Sequence, residues 1–271
     1  MAAITLTAGQ AARARSLLTE ALAFNTKSPA ADALALFVEG RRIGTLSPKA
    51  FDEIASSTLA HWFVREGRCV EFSPDVPLEA AFARAADVFH RSGFFFQWRD
   101  ELLDVRDLMT GEIVSRAERG LFRYFGMATQ CVYAVGVDQA GRIFMSRRSE
   151  TKQVDPGLWD TLAAGLVSAG EAPFVSLRRE LAEEAGLDEG YALEAGGFSR
   201  FAVRRPVEEG WMHEDAFCLK VFVQDARSVH NVDGEVSVIE CAGVDALLSR
   251  IERRLVPSDS AVAFLTALLK A

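Results

Sequence analysis

Three glutamates, Glu180, Glu183 and Glu184, are spaced so that one helix would carry them all on a single face. Like charges at that spacing destabilise an isolated helix by about 0.2–0.5 kcal/mol per pair. A hard cation would remove the repulsion. Magnesium takes oxygen ligands and commonly combines a few carboxylates with water and phosphate oxygens. The same three residues, taken alone, also fit a solvated acidic face. The helix itself is well specified, with Pro173 suited to its first turn and Gly186 to its exit. Phe174, Leu177, Leu181 and Ala185 form the apolar stripe expected to pack on a sheet.

The surrounding residues extend the pattern. Gly165 is followed by Glu171, then by Arg179-Glu180-Leu181, Glu183-Glu184 and Gly186-Leu187. This spacing resembles the Nudix box at every invariant position. The resemblance implies metal-dependent cleavage of a phosphoanhydride bond, with Glu180, Glu183, Glu184 and Arg179 at the catalytic positions. It makes Glu180 and Glu184 direct ligands of Mg2+ or Mn2+. Glu183 would ligate directly or through water, or help to activate the attacking water. Gly165 would offer its backbone carbonyl to the metal. Glu171 and Arg179 would hold loop and helix together through a charge-assisted hydrogen bond, and Gly186 is structural. A further carboxylate from a later loop is a feature of the family. Glu235 is the candidate for it, and Glu214 is its competitor.

Other residues outside the box could serve a substrate. Arg147, Arg148 and Lys152 follow a predicted strand and precede Gly157-Leu158-Trp159-Asp160, so they are candidates to hold phosphates. Phe198, Phe201, Trp211, Phe217 and Trp98 could stack on a heterocycle, although burial in a core is the commoner fate of aromatics. The four histidines are scattered and form no zinc or nucleophile constellation with cysteine. His213 alone lies close in sequence to plausible site residues.

Four further motifs are Gly40-Arg41-Arg42-Ile43-Gly44, Trp98-Arg99-Asp100-Glu101, Arg123-Tyr124-Phe125-Gly126 and Asp233-Gly234-Glu235-Val236. With them the chain resembles a Nudix subfamily carrying an extra N-terminal domain of unassigned function. That subfamily is similar to the Nudix part of proteins related to thiamine pyrophosphokinase. The resemblance implies a substrate like thiamine diphosphate, or a damaged form of it, cleaved to the monophosphate and phosphate. A nucleoside diphosphate derivative is the rival substrate. A ligand-sensing module built on the same fold is the rival of another class, and loss of box glutamates would have favoured it.

The elements that must position these residues divide the chain near residue 125. Residues 1–125 read as a smaller α+β domain, and residues 126–271 as the domain with the box. Thr7 and Gln10 form a capping box before an amphipathic helix striped by Leu17, Leu18, Ala21 and Leu22. Leu34 to Val38 and Ile43 to Leu46 flank a turn at Glu39-Gly40, which reads as a hairpin. Leu78 to Phe89 has helical spacing. Phe94 to Trp98 and Glu101 to Val105 are short apolar pieces, and Arg116 to Phe122 reads as helical. Cys131 to Val137 and Arg142 to Ser146 are strands around the turn Asp138 to Gly141. Two helices follow, near Pro173 to Ala185 and Ser258 to Leu269. The class expected is α/β (α+β), and the resemblance specifies a Nudix α/β/α sandwich with a mixed sheet.

The 271 residues suffice for two such domains and a sizeable core. A net charge of −8 argues against a general nucleic-acid surface. No apolar run approaches the roughly 18 residues of a membrane span, and the first residues lack the pattern of a secretory signal. Cys69, Cys131, Cys218 and Cys241 fit no paired metal spacing, which favours reduced thiols and a cytoplasmic location. The partner expected is a small-molecule diphosphate, with neither nucleic acid nor membrane. The N-terminal domain could also be a dimerisation unit, which would give a homodimer.

Overall fold

The computed structural model describes residues 4–95, 98–151, 155–232 and 234–270. Lys152 and Asp233, and part of the piece Phe94 to Trp98, lie outside the described residues. Thr7 caps the first helix, α1 (Ala8–Asn25), with the expected reciprocal bonds to Gln10. Next come β1 (Leu34–Val38), β2 (Arg41–Leu46) and α2 (Pro48–Ser56). β3 (Phe63–Glu66), β4 (Cys69–Phe72) and α3 (Leu78–Arg91) follow. The strands pair in the order β2-β1-β4-β3, and the β1–β2 turn is tight because Glu39 and Gly40 both take positive φ. A separate hairpin, β5 (Leu102–Arg106) with β6 (Ile113–Glu118), leads into the short helix α4 (Gly120–Phe125). Arg116 to Glu118 are therefore strand, not helix as the sequence suggested. Their backbone pairs with Leu102 to Asp104, and this tertiary pairing overrides local preference.

The second half is built on β7 (Ala128–Val137) and β8 (Ile143–Arg148), with the short strands β9 (Trp159–Asp160) and β10 (Ala163–Leu166). Then come α5 (Pro173–Ala185), β11 (Tyr191–Leu193), β12 (Ser199–Val207) and β13 (Gly210–Val223). β14 (Val236–Ala242), α6 (Val244–Glu252) and α7 (Ser258–Leu269) complete the chain. The sheet is mixed. β13 runs parallel to β7, while β10 pairs with β7, and β12 with β13, antiparallel.

Alternation along β7 makes the sandwich. Cys131, Tyr133 and Val135 join a core with α6 and α7, while Val132 and Ala134 face Leu177, Leu181 and Ala185 of α5. Covering on both faces explains why β7 is apolar from Cys131 to Val137. α1 also lies on the second half, with Ala14 in the α7 core and Arg13 paired to Asp245 and Glu252.

Phe174 is 45% exposed rather than part of the buried stripe, and it leans on Phe198 with ring centroids 4.4 Å apart. Helix α6 was not anticipated. It starts at Gly243 without a side-chain cap, although Val244, Leu247, Leu248 and Ile251 carry a helical stripe.

The aromatic core of the first half is closed by α4. Tyr124 and Phe125 pack against Phe89, and the single proton of the Tyr124 hydroxyl is within reach of both the Ala50 carbonyl at 3.2 Å and Glu53 at 3.1 Å. The chain then passes so close to β2 that two glycines are required. A Cβ on Gly44 would stand 2.3 Å from the Phe125 carbonyl oxygen, and one on Gly126 2.2 Å from that of Thr45. Gly126 also has φ of +60°. Gly126→Ala should therefore cost about 2 kcal/mol or more, read as a lower midpoint in urea unfolding. An unchanged midpoint would refute the close approach.

Candidate active site

Helix α5 starts at Ala172, which offers no side-chain cap, and Pro173 sits in its first turn. The turn before it is held by Glu171 instead. Glu171 accepts from Ser176 Oγ at 2.6 Å and from Arg179 Nη2 at 3.3 Å. Burial opposes its charge, yet the bonds from Ser176 and Arg179 bring its pKa below the usual carboxylate value.

Arg179 is the hub. Its Nη1 donates to Glu180 Oε1 at 2.6 Å and to Glu183 Oε2 at 3.2 Å, and its Nη2 also reaches the Leu166 carbonyl at 3.2 Å. Burial works against the guanidinium charge, but Glu180, then Glu171 and Glu183, push its pKa up. Loop and helix are thus tied through one guanidinium.

Glu180 and Glu184 are the buried members of the acidic face, at 8% and 7% exposure. Burial raises the Glu180 pKa, Arg179 opposes the shift, and Glu183 and Glu101 add to it. Glu184 Oε2 accepts the Ala164 N–H of β10 at 2.9 Å. A Cβ on Gly165, the next residue, would lie 2.0 Å from Glu180 Oε1 and displace that carboxylate. Glu183 is exposed at the rim. The exit residue Gly186 has φ of +65°, and a Cβ on it would meet the His230 ring.

The donor set suits a hard divalent ion in type: buried carboxylates one turn apart, and a backbone strand beside them. No three acidic, histidine or cysteine side chains among the described residues form a ready cage. Arg179 occupies the position between Glu180 and Glu183, and the remaining ligands of a magnesium site are commonly water and phosphate.

Gly165, Glu171, Arg179, Glu180 and Glu183 line a cavity of about 850 Å³ that draws on both halves of the chain, while Glu184 lies behind its lining. Glu180, Glu183, Gly165 and Glu235 lie on it, as does Arg148, whose Nη1 donates to Asp160 at 2.9 Å. Glu235 is also fixed through its backbone, whose carbonyl accepts from Ser149 N–H at 2.9 Å. Arg147 does not line the cavity. Adjacent strand residues point to opposite sides, and Arg147 is exposed on the other one, bonded to Glu150 and the Gly157 carbonyl. Of the aromatic candidates, Trp211 faces the cavity, whereas Phe198 and Phe217 stack edge to face in the α5 core, and Phe201 sits beside Tyr133. Trp98 is exposed beside His90.

A polar cluster that sequence reasoning missed lies in the same cavity. The Tyr133 hydroxyl oxygen stands 3.1 Å from Glu214 Oε1 and 3.0 Å from Asp259 Oδ2. One hydroxyl carries one proton, so the arrangement is satisfied when one carboxyl is itself protonated. Burial first, then Asp259, push the Glu214 pKa up to about 7, and burial also raises that of Asp259. Asp259 Oδ1 is buried with no hydrogen-bond partner among the described residues. His213, beside Glu214, is held neutral. Burial and then Arg204 lower its pKa to about 4. The competitor Glu214 thus lies in this cluster, bonded to Tyr133 rather than to any box residue.

Residues 127–259 match the family model of the NUDIX domain. This part of the chain is similar to a Nudix domain. Over 87 residues the chain is 38% identical to the uncharacterized Nudix hydrolase SCO1686 of Streptomyces coelicolor, covering 32% of this chain and 48% of that protein. It is 35% identical over 96 residues to the uncharacterized Nudix hydrolase PA4841 of Pseudomonas aeruginosa, covering 35% of this chain and 54% of the relative. The chain therefore spans about half the length of the curated relatives it matches. Among solved structures, DR0079 from Deinococcus radiodurans covers 56% of this chain and 90% of its own, with 21% identity and a TM-score of 0.42.

No described helix is long and apolar enough to cross a membrane. The four cysteines are free thiols, with Cys131 and Cys218 buried.

The raised Glu214 pKa sets a direction for stability. A carboxyl that holds its proton more tightly when folded contributes fully below its unfolded pKa, and that contribution is lost as pH rises to about 7. The Tm should fall between about pH 5 and about pH 8 by more in the parent chain than in Glu214→Gln. Equal falls would reject the buried proton.

Proposed function

We propose that the chain hydrolyses the phosphoanhydride bond of a small-molecule diphosphate, using Mg2+ or Mn2+. The observation that carries this reading is the pair Glu180 and Glu184, buried one turn apart on α5, with Glu180 seated against Gly165. Arg179 offsets part of the negative charge buried here, and a divalent ion would offset more of it. Glu180 and Glu184 would hold the ion, with the Gly165 carbonyl and Glu235 as further ligands. When bound, the ion would neutralise phosphoryl oxygens and polarise the bond that breaks.

The remaining roles belong to the chain. Glu183, at the rim and bonded to Arg179, accepts a proton from the attacking water. Arg179 keeps Glu180 and Glu183 in register and does not leave them to repel each other. Arg148, oriented by Asp160, holds a phosphate oxygen; Lys152 is a candidate for the same duty.

For the substrate we favour thiamine diphosphate or a damaged analogue, cleaved to the monophosphate and phosphate. The support is the Tyr133, Glu214 and Asp259 cluster with Trp211 on the same cavity. A buried acceptor without a partner and an aromatic face suit a cationic or amino-bearing ring. The reading makes residues 126–271 the catalytic domain, and residues 1–125 a smaller unit that works with it.

Glu184→Gln should lower kcat by a factor on the order of 100 or more, while circular dichroism shows an intact fold. Full turnover in that variant would reject the ligand role. In a panel of diphosphates with phosphate detection, thiamine diphosphate analogues should be turned over faster than nucleoside diphosphate derivatives. The opposite order would remove the thiamine reading and leave the reaction class standing.

A further inference from the structure

Arg99, Arg119 and Arg123 all belong to the N-terminal half, yet they line the cavity that holds Glu180 and Glu183. Gathering three cations is unfavourable, and a dedicated framework holds them. Buried Glu118 accepts the backbone N–H groups of Arg99 at 2.8 Å, Glu101 at 3.2 Å and Gly120 at 3.4 Å. One carboxylate thereby pins the chain entering β5 to the turn that carries Arg119. Arg119 Nη1 donates to Glu101 Oε2 at 2.8 Å, and Glu101 Oε1 accepts from Ser168 Oγ at 3.0 Å. Ser168 belongs to the loop between Gly165 and Glu171. On the same loop Ala169 N–H donates to the Leu102 carbonyl at 2.8 Å, and Gly170 N–H to Asp104 at 3.2 Å. Arg123 Nη1 pairs with Glu209 at 3.4 Å. The arginines are therefore held in a set relation to the box.

We infer that this cluster is a phosphate-binding subsite, through which the N-terminal half completes the site of the Nudix-like domain. A guanidinium has five N–H donors in a planar fork that matches phosphate oxygens in pairs. The ion pairs of Arg119 and Arg123 each run through a single Nη1 atom in the described contacts, so further donors can meet a ligand. The need is also electrostatic. The box side presents Glu180 and Glu183, which repel an incoming polyanion, and cations on the facing elements offset that repulsion. Burial first, and then Arg119, lower the Arg99 pKa, while Glu235 and Glu101 oppose the shift. The subsite takes the phosphate of the diphosphate whose hydrolysis is proposed above, and it depends on that reading for the ligand's identity.

The test is calorimetric titration of the full chain with inorganic pyrophosphate in magnesium, on the parent, Arg123→Ala, Arg123→Lys and Arg99→Ala. Mn2+ binding without pyrophosphate is measured in parallel by electron paramagnetic resonance. The expected result is that both alanine variants bind pyrophosphate about tenfold or more weaker. Arg123→Lys should recover part of the loss, and Mn2+ affinity should stay at the parent value. Pyrophosphate affinity unchanged in both alanine variants would overturn the subsite and leave the hydrolase reading intact. A loss of Mn2+ affinity in proportion to that of pyrophosphate would also overturn it, because the arginines would then act only through the fold. The hydrolase reading fails separately, on full turnover by Glu184→Gln.

Discussion

The guanidinium of Arg179 bonds at once to Glu180, Glu183, Glu171 and the Leu166 carbonyl, and the geometry of the site depends on those four bonds. They join the two ends of the loop between β10 and α5 to the helix that follows. They also supply the positive charge that lets neighbouring carboxylates share one helical face. Without that cation, Glu180 and Glu183 would repel across the helix and Glu171 would lose its hold on the turn. Gly165 fits the same arrangement, since a Cβ there would displace the Glu180 carboxylate.

Around this hub the fold sets two layers against one strand. β7 sends Val132 and Ala134 towards α5, and Tyr133 towards α7 and Glu214. The same strand therefore supports the box helix on one face and the Tyr133 cluster on the other. The N-terminal half enters through the β5–β6 hairpin and α4, whose residues form the facing part of the cavity.

Much of this was legible in the residues. The box pattern, the capping box at Thr7, the hairpin at Glu39-Gly40 and the helix ends at Pro173 and Gly186 are local signals with a local cause. What escaped was set by distant pairing. Arg116 to Glu118 are a strand because β5 lies beside them, and Arg147 parts from Arg148 because a strand alternates. In the Tyr133, Glu214 and Asp259 cluster the bonded residues are 81 and 126 positions apart, and no spacing rule connects them. Arg99, Glu101 and Arg123 lie within short sequence motifs, yet only the packing of the hairpin on the box loop shows what they face. Helix α6 is a different case, since its stripe was present and the missing cap hid it.

The segment from Ser168 to Gly170 is a loop by its hydrogen bonding, but it is bonded at each residue to another part of the chain. Ser168 bonds to Glu101, Ala169 to Leu102 and Gly170 to Asp104. Surface loops ordinarily absorb insertions and deletions at small cost. Here a change of one residue in length would shift every partner out of phase, as a slip of register does in a sheet. The distance in sequence between Gly165 and Glu171 is thereby held from outside the loop, by a hairpin some sixty residues earlier.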